Sequence, residues 1–128
     1  MALDIGAVRI GVALASSDVR IAVPHQTVRM DEKNFAATIS EMVEQNSIDV
    51  LVVGYPRNQS GEPTAQTAFI EKMAAQIGPE ITTVFQDESL TSVMAEQRLA
   101  GKKNGHSKGD VDAEAAAIIL QDYMEMHL

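Results

Sequence analysis

The segment Leu3-Asp4-Ile5-Gly6-Ala7-Val8-Arg9-Ile10-Gly11-Val12-Ala13-Leu14-Ala15 constrains the fold of this chain more than any other stretch. Two apolar, β-branched runs joined by a glycine-containing turn read as a strand, a tight reversal and a second strand. Asp4 sits inside the first run, between Leu3 and Ile5. An ionised acid is seldom buried unless it is paired or holds a metal, so its place mid-strand needs a reason. Gly6 and Gly11 remove side chains on both sides of the turn, which lets backbone or a ligand approach that acid. Asp4 is equally able to end a short edge strand and cap the turn, and this segment alone leaves both readings open.

The rest of the chain alternates between the two periodicities. Val19 to Val28 reads as a third strand, with Pro24 marking an edge position or a bulge. Asp31 reads as the cap of a helix whose Phe35, Ile39, Met42 and Val43 recur at helical spacing to about Asn46. Ile48 to Val53 is nearly all apolar, the pattern of a strand covered on both faces, and Gly54 to Gly61 interrupts it with loop chemistry. Ala65, Phe69, Met73 and Ile77 mark a second helix that Gly78-Pro79 ends. Ile81 to Phe85 gives a fifth strand and Leu90 to Ala100 a third helix. Gly101 to Gly109 is a loop, and a final helix from about Asp110 carries Val111, Ala115, Ile118, Ile119, Tyr123 and Met126. Three strands in succession followed by βαβα alternation predict an α/β fold: a five-stranded mixed sheet, an antiparallel meander continued by parallel strands, with helices on both faces.

Its 128 residues suffice for one hydrophobic core and not for two substantial ones, so a single domain over residues 1–128 is expected. Aromatic residues make up only 4%, which leaves Val, Ile, Leu, Ala and Met to fill the interior; Met30, Met42, Met73 and Met94 read as core filler. The absence of cysteine excludes disulfides, thiolate metal sites and a cysteine nucleophile. No apolar run approaches the ~20 residues that cross a bilayer, and the N-terminus lacks a signal-peptide pattern, so the cytoplasm is the expected compartment. A formal net charge of −8 argues against a protein that coats nucleic acid through a broad basic face. Any phosphate partner must therefore meet a local basic patch or a bound cation.

Three acids stand where an α/β sheet builds its sites. Asp4 lies on the first strand, Glu88 just past the last, and Asp112 in the first turn of the final helix. Ligands of such folds gather outside the carboxyl ends of the strands. Clustered carboxylates there suit Mg²⁺, which takes oxygen ligands together with water and substrate phosphate. A pair of such ions activates water and stabilises the leaving oxygen in phosphodiester cleavage. Each acid also has a plainer role. Asp112, like Asp110, complements the positive end of the helix dipole, and Glu88 suits a solvated position, with Asp87 an equal candidate by type. Neighbours along an extended chain face opposite sides, so one of that pair serves a cluster. The 101–109 loop holds Lys102, Lys103 and Lys108, three of the ten basic residues, and suits non-specific phosphate contacts as well as it suits a solvated loop. His106 within it is a candidate for proton or metal work. The segment around Asn58 is either a phosphate-binding turn or a plain Pro/Gly connection.

Taken in order, these motifs resemble the YqgF/RuvX family, RNase H-like proteins described as Holliday-junction-resolvase-like or as pre-16S rRNA nucleases. The resemblance rests on Asp4-Ile5-Gly6, Arg9-Ile10-Gly11-Val12-Ala13, Gly54-x-Pro56-x-Asn58-x-x-Gly61, Asp87-Glu88-x-Leu90-Thr91 and Val111-Asp112-x-x-Ala115-Ala116-x-Ile118-Ile119-Leu120-Gln121-x-Tyr123, and covers essentially the whole chain. It implies an RNase H-like sheet in which Asp4, Glu88 and Asp112 correspond to the family's acidic metal-binding residues. The chain departs from the family's usual pattern in having Ala7-Val8 in place of a Thr-Lys pair, Tyr55 in place of Leu and Ser89 in place of Arg. Two phosphate contacts are thereby removed.

The expected activity is that of an endonuclease dependent on Mg²⁺ or Mn²⁺ acting on structured RNA, in maturation of the 5′ end of pre-16S rRNA. Asp4, Glu88 and Asp112 would hold the metal, and Arg9, Asn58, Lys102, Lys103 and Lys108 the nucleic-acid backbone. Ribosomal particles are candidate partners. Branched DNA is the alternative substrate, and a non-catalytic RNA- or ribosome-binding factor is the alternative class.

Overall fold

The computed structural model describes residues 1–56, 64–88 and 108–128. The helix expected over 90–100 and the loop residues Asn58, Lys102, Lys103 and His106 lie outside the described residues.

The chain runs β1 (Ala2–Ile5), β2 (Arg9–Leu14), β3 (Val23–Arg29), α1 (Phe35–Gln45), β4 (Val50–Pro56), α2 (Ala65–Ala74), β5 (Thr82–Glu88) and α3 (Lys108–His127). One sheet has the order β3-β2-β1-β4-β5. The β1–β2 and β2–β3 pairs are antiparallel, while β1–β4 and β4–β5 are parallel. This is the mixed α/β sheet that the alternation of patterns predicts.

β1 and β2 are joined as expected, with the Gly6 amide donating to the Arg9 carbonyl at 2.9 Å. The edge position of Pro24 is also as expected. β3 borders the sheet, and its register slips between Val12 and Ala13, where Pro24 faces Ala13. Proline has no amide to give the ladder, so a bulge on an edge strand accommodates it. The third strand starts later than its apolar residues suggest, at Val23 and not Val19. Residues 16–20 are instead a turn: the Arg20 amide donates to the Ser16 carbonyl and the Val19 amide to Ser16 Oγ, and Arg20 adopts a left-handed φ of 58°. The Ala22 amide then goes to the side chain of Gln121 on α3, away from the sheet.

α1 is amphipathic as read, with Phe35, Ile39 and Met42 buried. Its cap, however, is Asn34 and not Asp31. Asp31 accepts from the Lys33 amide and from Asn34 Nδ2, so it organises the turn one step ahead of the helix. α2 is opened by a reciprocal pair, Thr64 accepting from the Thr67 amide and Thr67 Oγ1 from the Thr64 amide.

Side chains alternate along the central strands between two apolar layers. Leu3, Ile5, Ile10, Val12, Leu51 and Val53 pack with α1 and α2 on one face. Ala2, Ala13 and Val52 pack with Ala116, Ala117, Ile119, Leu120 and Met124 of α3 on the other. α3 carries an unbroken buried run from Ala113 to Leu120, wider than the stripe read from spacing. Met126, expected in that stripe, is exposed. α3 begins at Lys108, two residues before the expected start. Among the described residues no helix is long and apolar enough to cross a membrane.

Candidate active site

Alternation decides which side chains meet. Leu3 and Ile5 face α1 and α2, so Asp4 between them faces α3. It pairs with Gly11 across β2, and the parallel register Leu3↔Val53, continued by one residue, sets it level with Gly54 on β4. On β5, Val84 packs against the α3 layer and Gln86 donates to Met126 Sδ of α3. Glu88, two residues on, therefore shares that face, and the exposed Asp87 points away from it. Of the adjacent acids it is Glu88 that turns toward Asp4.

Two sequence expectations shift here. β5 runs on to Glu88, where apolar patterning ends it at Phe85, so Glu88 is the last residue of the strand and not a loop residue beyond it. β4 likewise continues through Gly54 and Tyr55 to Pro56, because the parallel ladder pairs Gly54 with Gln86, Tyr55 with Asp87 and Pro56 with Glu88. Gly54 is a strand residue and not a strand breaker. Its missing side chain is what the site uses: a Cβ there would stand 2.5 Å from Ile119 Cδ1 and 3.1 Å from Glu88 Oε2. Glu88 thus folds over a glycine toward the middle of the sheet.

Gly11 has the same function for the third acid. A Cβ at Gly11 would overlap the backbone carbonyl of Asp112, so the first turns of α3 rest directly on β2. Asp112, Asp4 and Glu88 are drawn together by two glycines and the pleat. Their mutual influence is electrostatic: burial, then the carboxylates of Glu88 and Asp112, push the Asp4 carboxyl up to about 7. Among the described residues Asp4 has no hydrogen bond or ion pair to offset this.

The third acid is already engaged. Arg9 Nε donates to Asp112 Oδ2 at 2.6 Å, linking β2 to α3 across 103 residues of chain. The Arg9 guanidinium, a candidate phosphate contact by sequence, lies on this carboxylate. Among the described residues no three carboxylates or imidazoles stand closed as a ready coordination sphere. In donor chemistry the residues still fit a hard divalent cation. They are all oxygen donors, and one carboxylate has its charge suppressed by burial and then by its acidic neighbours. Lys108 is the first residue of α3, and its side chain lies outside the described residues.

The structural role of Gly54 has only a faint signal in the sequence, a lone glycine at the end of an all-apolar run. The Arg9–Asp112 pair left no such signal, since only the fold brings the two together.

Comparison with known proteins agrees with this architecture. The family described as "RuvX: Holliday junction resolvase" matches residues 1–126. A Chloroflexus aurantiacus protein named "Putative pre-16S rRNA nuclease" is 38% identical over 130 residues, covering 98% of this chain and 85% of the relative. A Synechocystis protein of the same name is 34% identical over 131 residues, covering 98% and 86%. Among solved structures, "T. thermophilus RuvC in complex with Holliday junction substrate" superposes with a TM-score of 0.59 at 13% identity, covering 97% of this chain and 91% of that one. The Fowlpox virus resolvase in its Holliday junction complex gives a TM-score of 0.52 at 12% identity, covering 98% and 96%. These two likenesses are of fold, the RNase H-like fold that the motifs imply. A match along nearly the whole length, together with relatives this similar, makes the chain a member of the RuvX family.

Proposed function

We propose that this chain is a single-domain, divalent-metal-dependent endonuclease that hydrolyses phosphodiester bonds in structured RNA, acting in 5′-end maturation of pre-16S rRNA. The observation that carries the reading is Asp4, a partly buried carboxylate without a partner among the described residues, pushed up to about 7 beside Glu88 and Asp112. A protein that only bound RNA would have no use for a mid-strand acid whose ionisation the fold opposes. Such groups suit a site that takes up a cation. The relatives' names supply the substrate class.

In this mechanism Asp4, Glu88 and Asp112 would hold Mg²⁺ or Mn²⁺. When bound, the metal supplies an activated water and neutralises charge on the scissile phosphate. Asp4, whose carboxyl is pushed up to about 7, would release its proton there and offer a carboxylate oxygen. Glu88 approaches over Gly54 from β5, and Asp112 from the head of α3. The Gly54 and Gly11 contacts fix the spacing before substrate arrives. Asn58, Lys102, Lys103 and Lys108 serve the nucleic-acid backbone, which an overall charge of −8 otherwise repels. Precursor ribosomal particles in the cytoplasm are the setting in which such a substrate is met.

Branched DNA is the second reading. It is favoured by the family's description and by the Holliday junctions named with both solved neighbours. Side-by-side incubation of precursor rRNA and a four-way DNA junction with Mn²⁺ separates the two. Cleavage of the RNA alone is expected. Asp4→Asn and chelation by EDTA should each abolish it, with the circular dichroism spectrum unchanged. Undiminished cleavage by Asp4→Asn would remove the mechanism.

A further inference from the structure

The Arg9–Asp112 pair occupies an oxygen that the proposed chemistry requires. Asp112 Oδ2 accepts from Arg9 Nε at 2.6 Å, and the two terminal nitrogens of the guanidinium are not part of that bond. The side chains are 36% and 24% exposed, so the pair sits at the mouth of the site and not in the core. An ion pair partly open to water contributes modestly to stability. A divalent cation brought to Asp4, Glu88 and Asp112 meets a fixed positive charge on one of its three carboxylates. It must displace that charge or bind against its repulsion. The planar fork of an arginine also matches two oxygens of a phosphate as well as it matches a carboxylate.

We propose that Arg9 is a built-in counter-cation. It holds Asp112 while no divalent metal is bound, and it exchanges that carboxylate for a substrate phosphate when the metal arrives. Charge balance favours this order. Three carboxylates with no cation among them repel, and the guanidinium answers one of them in the empty site. Once a 2+ ion has taken Asp112, the same guanidinium is repelled by the metal and attracted by the incoming phosphate. The turn that begins β2 keeps Arg9 next to the site throughout, because the Gly6 amide holds the Arg9 carbonyl at 2.9 Å and so fixes the backbone independently of the side chain's partner. Arg9 is thus a positioning residue in the metal-free protein and a phosphate contact in the loaded one. This rests on the proposed metal-dependent reading.

The test follows the Arg9 Nε–H resonance in ¹⁵N-arginine-labelled full-length protein during titration with Mg²⁺, with the signal assigned by its loss in Arg9→Lys. The metal-free protein should show a protected, downfield signal. That signal should disappear into rapid solvent exchange in step with the Mg²⁺ binding isotherm measured by calorimetry. Arg9→Gln, which is neutral, should bind Mn²⁺ three- to tenfold more tightly than wild type while its KM for precursor rRNA rises. Arg9→Lys should return both toward wild type. A signal unchanged at Mg²⁺ saturation, or an Arg9→Gln affinity equal to or weaker than wild type, overturns the exchange and leaves the metal site standing. If calorimetry finds no divalent binding to wild type or variant, the metal-dependent reading falls and this inference with it. Should Arg9→Gln fail to fold, the wild-type titration decides alone.

Discussion

Replacing Asp4 by asparagine should make the metal-free protein more stable, and only above a certain pH. The wild-type carboxyl is pushed up to about 7 by burial and by Glu88 and Asp112. In the unfolded chain it titrates near ~3.9. Because the folded value is the higher one, the folded state binds this proton more tightly. The stability that Asp4 contributes is complete below about pH 4 and is lost as pH rises toward 7. Roughly three pKa units at 1.36 kcal/mol each give about 4 kcal/mol at pH 8. Asparagine keeps the shape and has no proton to lose, so it escapes this cost. Urea unfolding with excess EDTA, repeated from pH 4 to pH 9, reads the difference directly as ΔΔG at constant m. The two proteins should coincide near pH 4 and separate progressively, Asp4→Asn being the more stable by about 4 kcal/mol at pH 8. Saturating Mg²⁺ should then restore wild type and leave the variant unmoved, since a ligand bound only by the folded state adds its binding free energy to stability. A gap independent of pH, or a variant less stable at pH 8, would refute the claim that Asp4 is a strained charge awaiting a cation.

Three further perturbations test how the site is assembled. Gly54→Ala places a methyl against Ile119 Cδ1 and Glu88 Oε2, and should cost about 1–3 kcal/mol while lowering cleavage through displacement of Glu88; thermal unfolding and kcat together check it. Gly11→Ala drives into the backbone carbonyl of Asp112, which no rotamer relieves, so loss of metal affinity by calorimetry should exceed that of Gly54→Ala. Thr64→Ala removes the cap of α2, on the other face of the sheet, and should lower stability by ~1 kcal/mol in urea unfolding with metal affinity unaltered.

The layered sheet was legible because its signals are local. The apolar run at residues 51–53 reads as a strand covered on both sides, and all three side chains are buried. The pleat alone implied that only one of Asp87 and Glu88 joins Asp4, though which one required the register of β5 against β4. What escaped depends on partners distant in sequence. Val19 and Ile21 carry strand-like side chains, yet a serine-capped turn and a hydrogen bond from Ala22 to Gln121 take that segment out of the sheet. Gly54 looks like a terminator until β5 lies beside it and supplies the ladder. Arg9 has no visible partner in the sequence until α3 delivers a carboxylate to it. In each case a long-range pairing overrides a correct local preference.

The alanines of α3 bear on how such a site tolerates change. Ala116 and Ala117 pack on Ala2, Ala13 and Val52 and are all but inaccessible, and the helix they belong to lies across β1, β2 and β3. A helix seated on small residues cannot be nudged at one end alone. Added bulk anywhere along the seat lifts the whole rod, with Asp112 riding in its second turn. Interior substitutions well away from the carboxylates therefore act as adjustments of aperture, and the helix–sheet spacing is a dial through which the jaws are widened or narrowed while every acid stays in place along the chain.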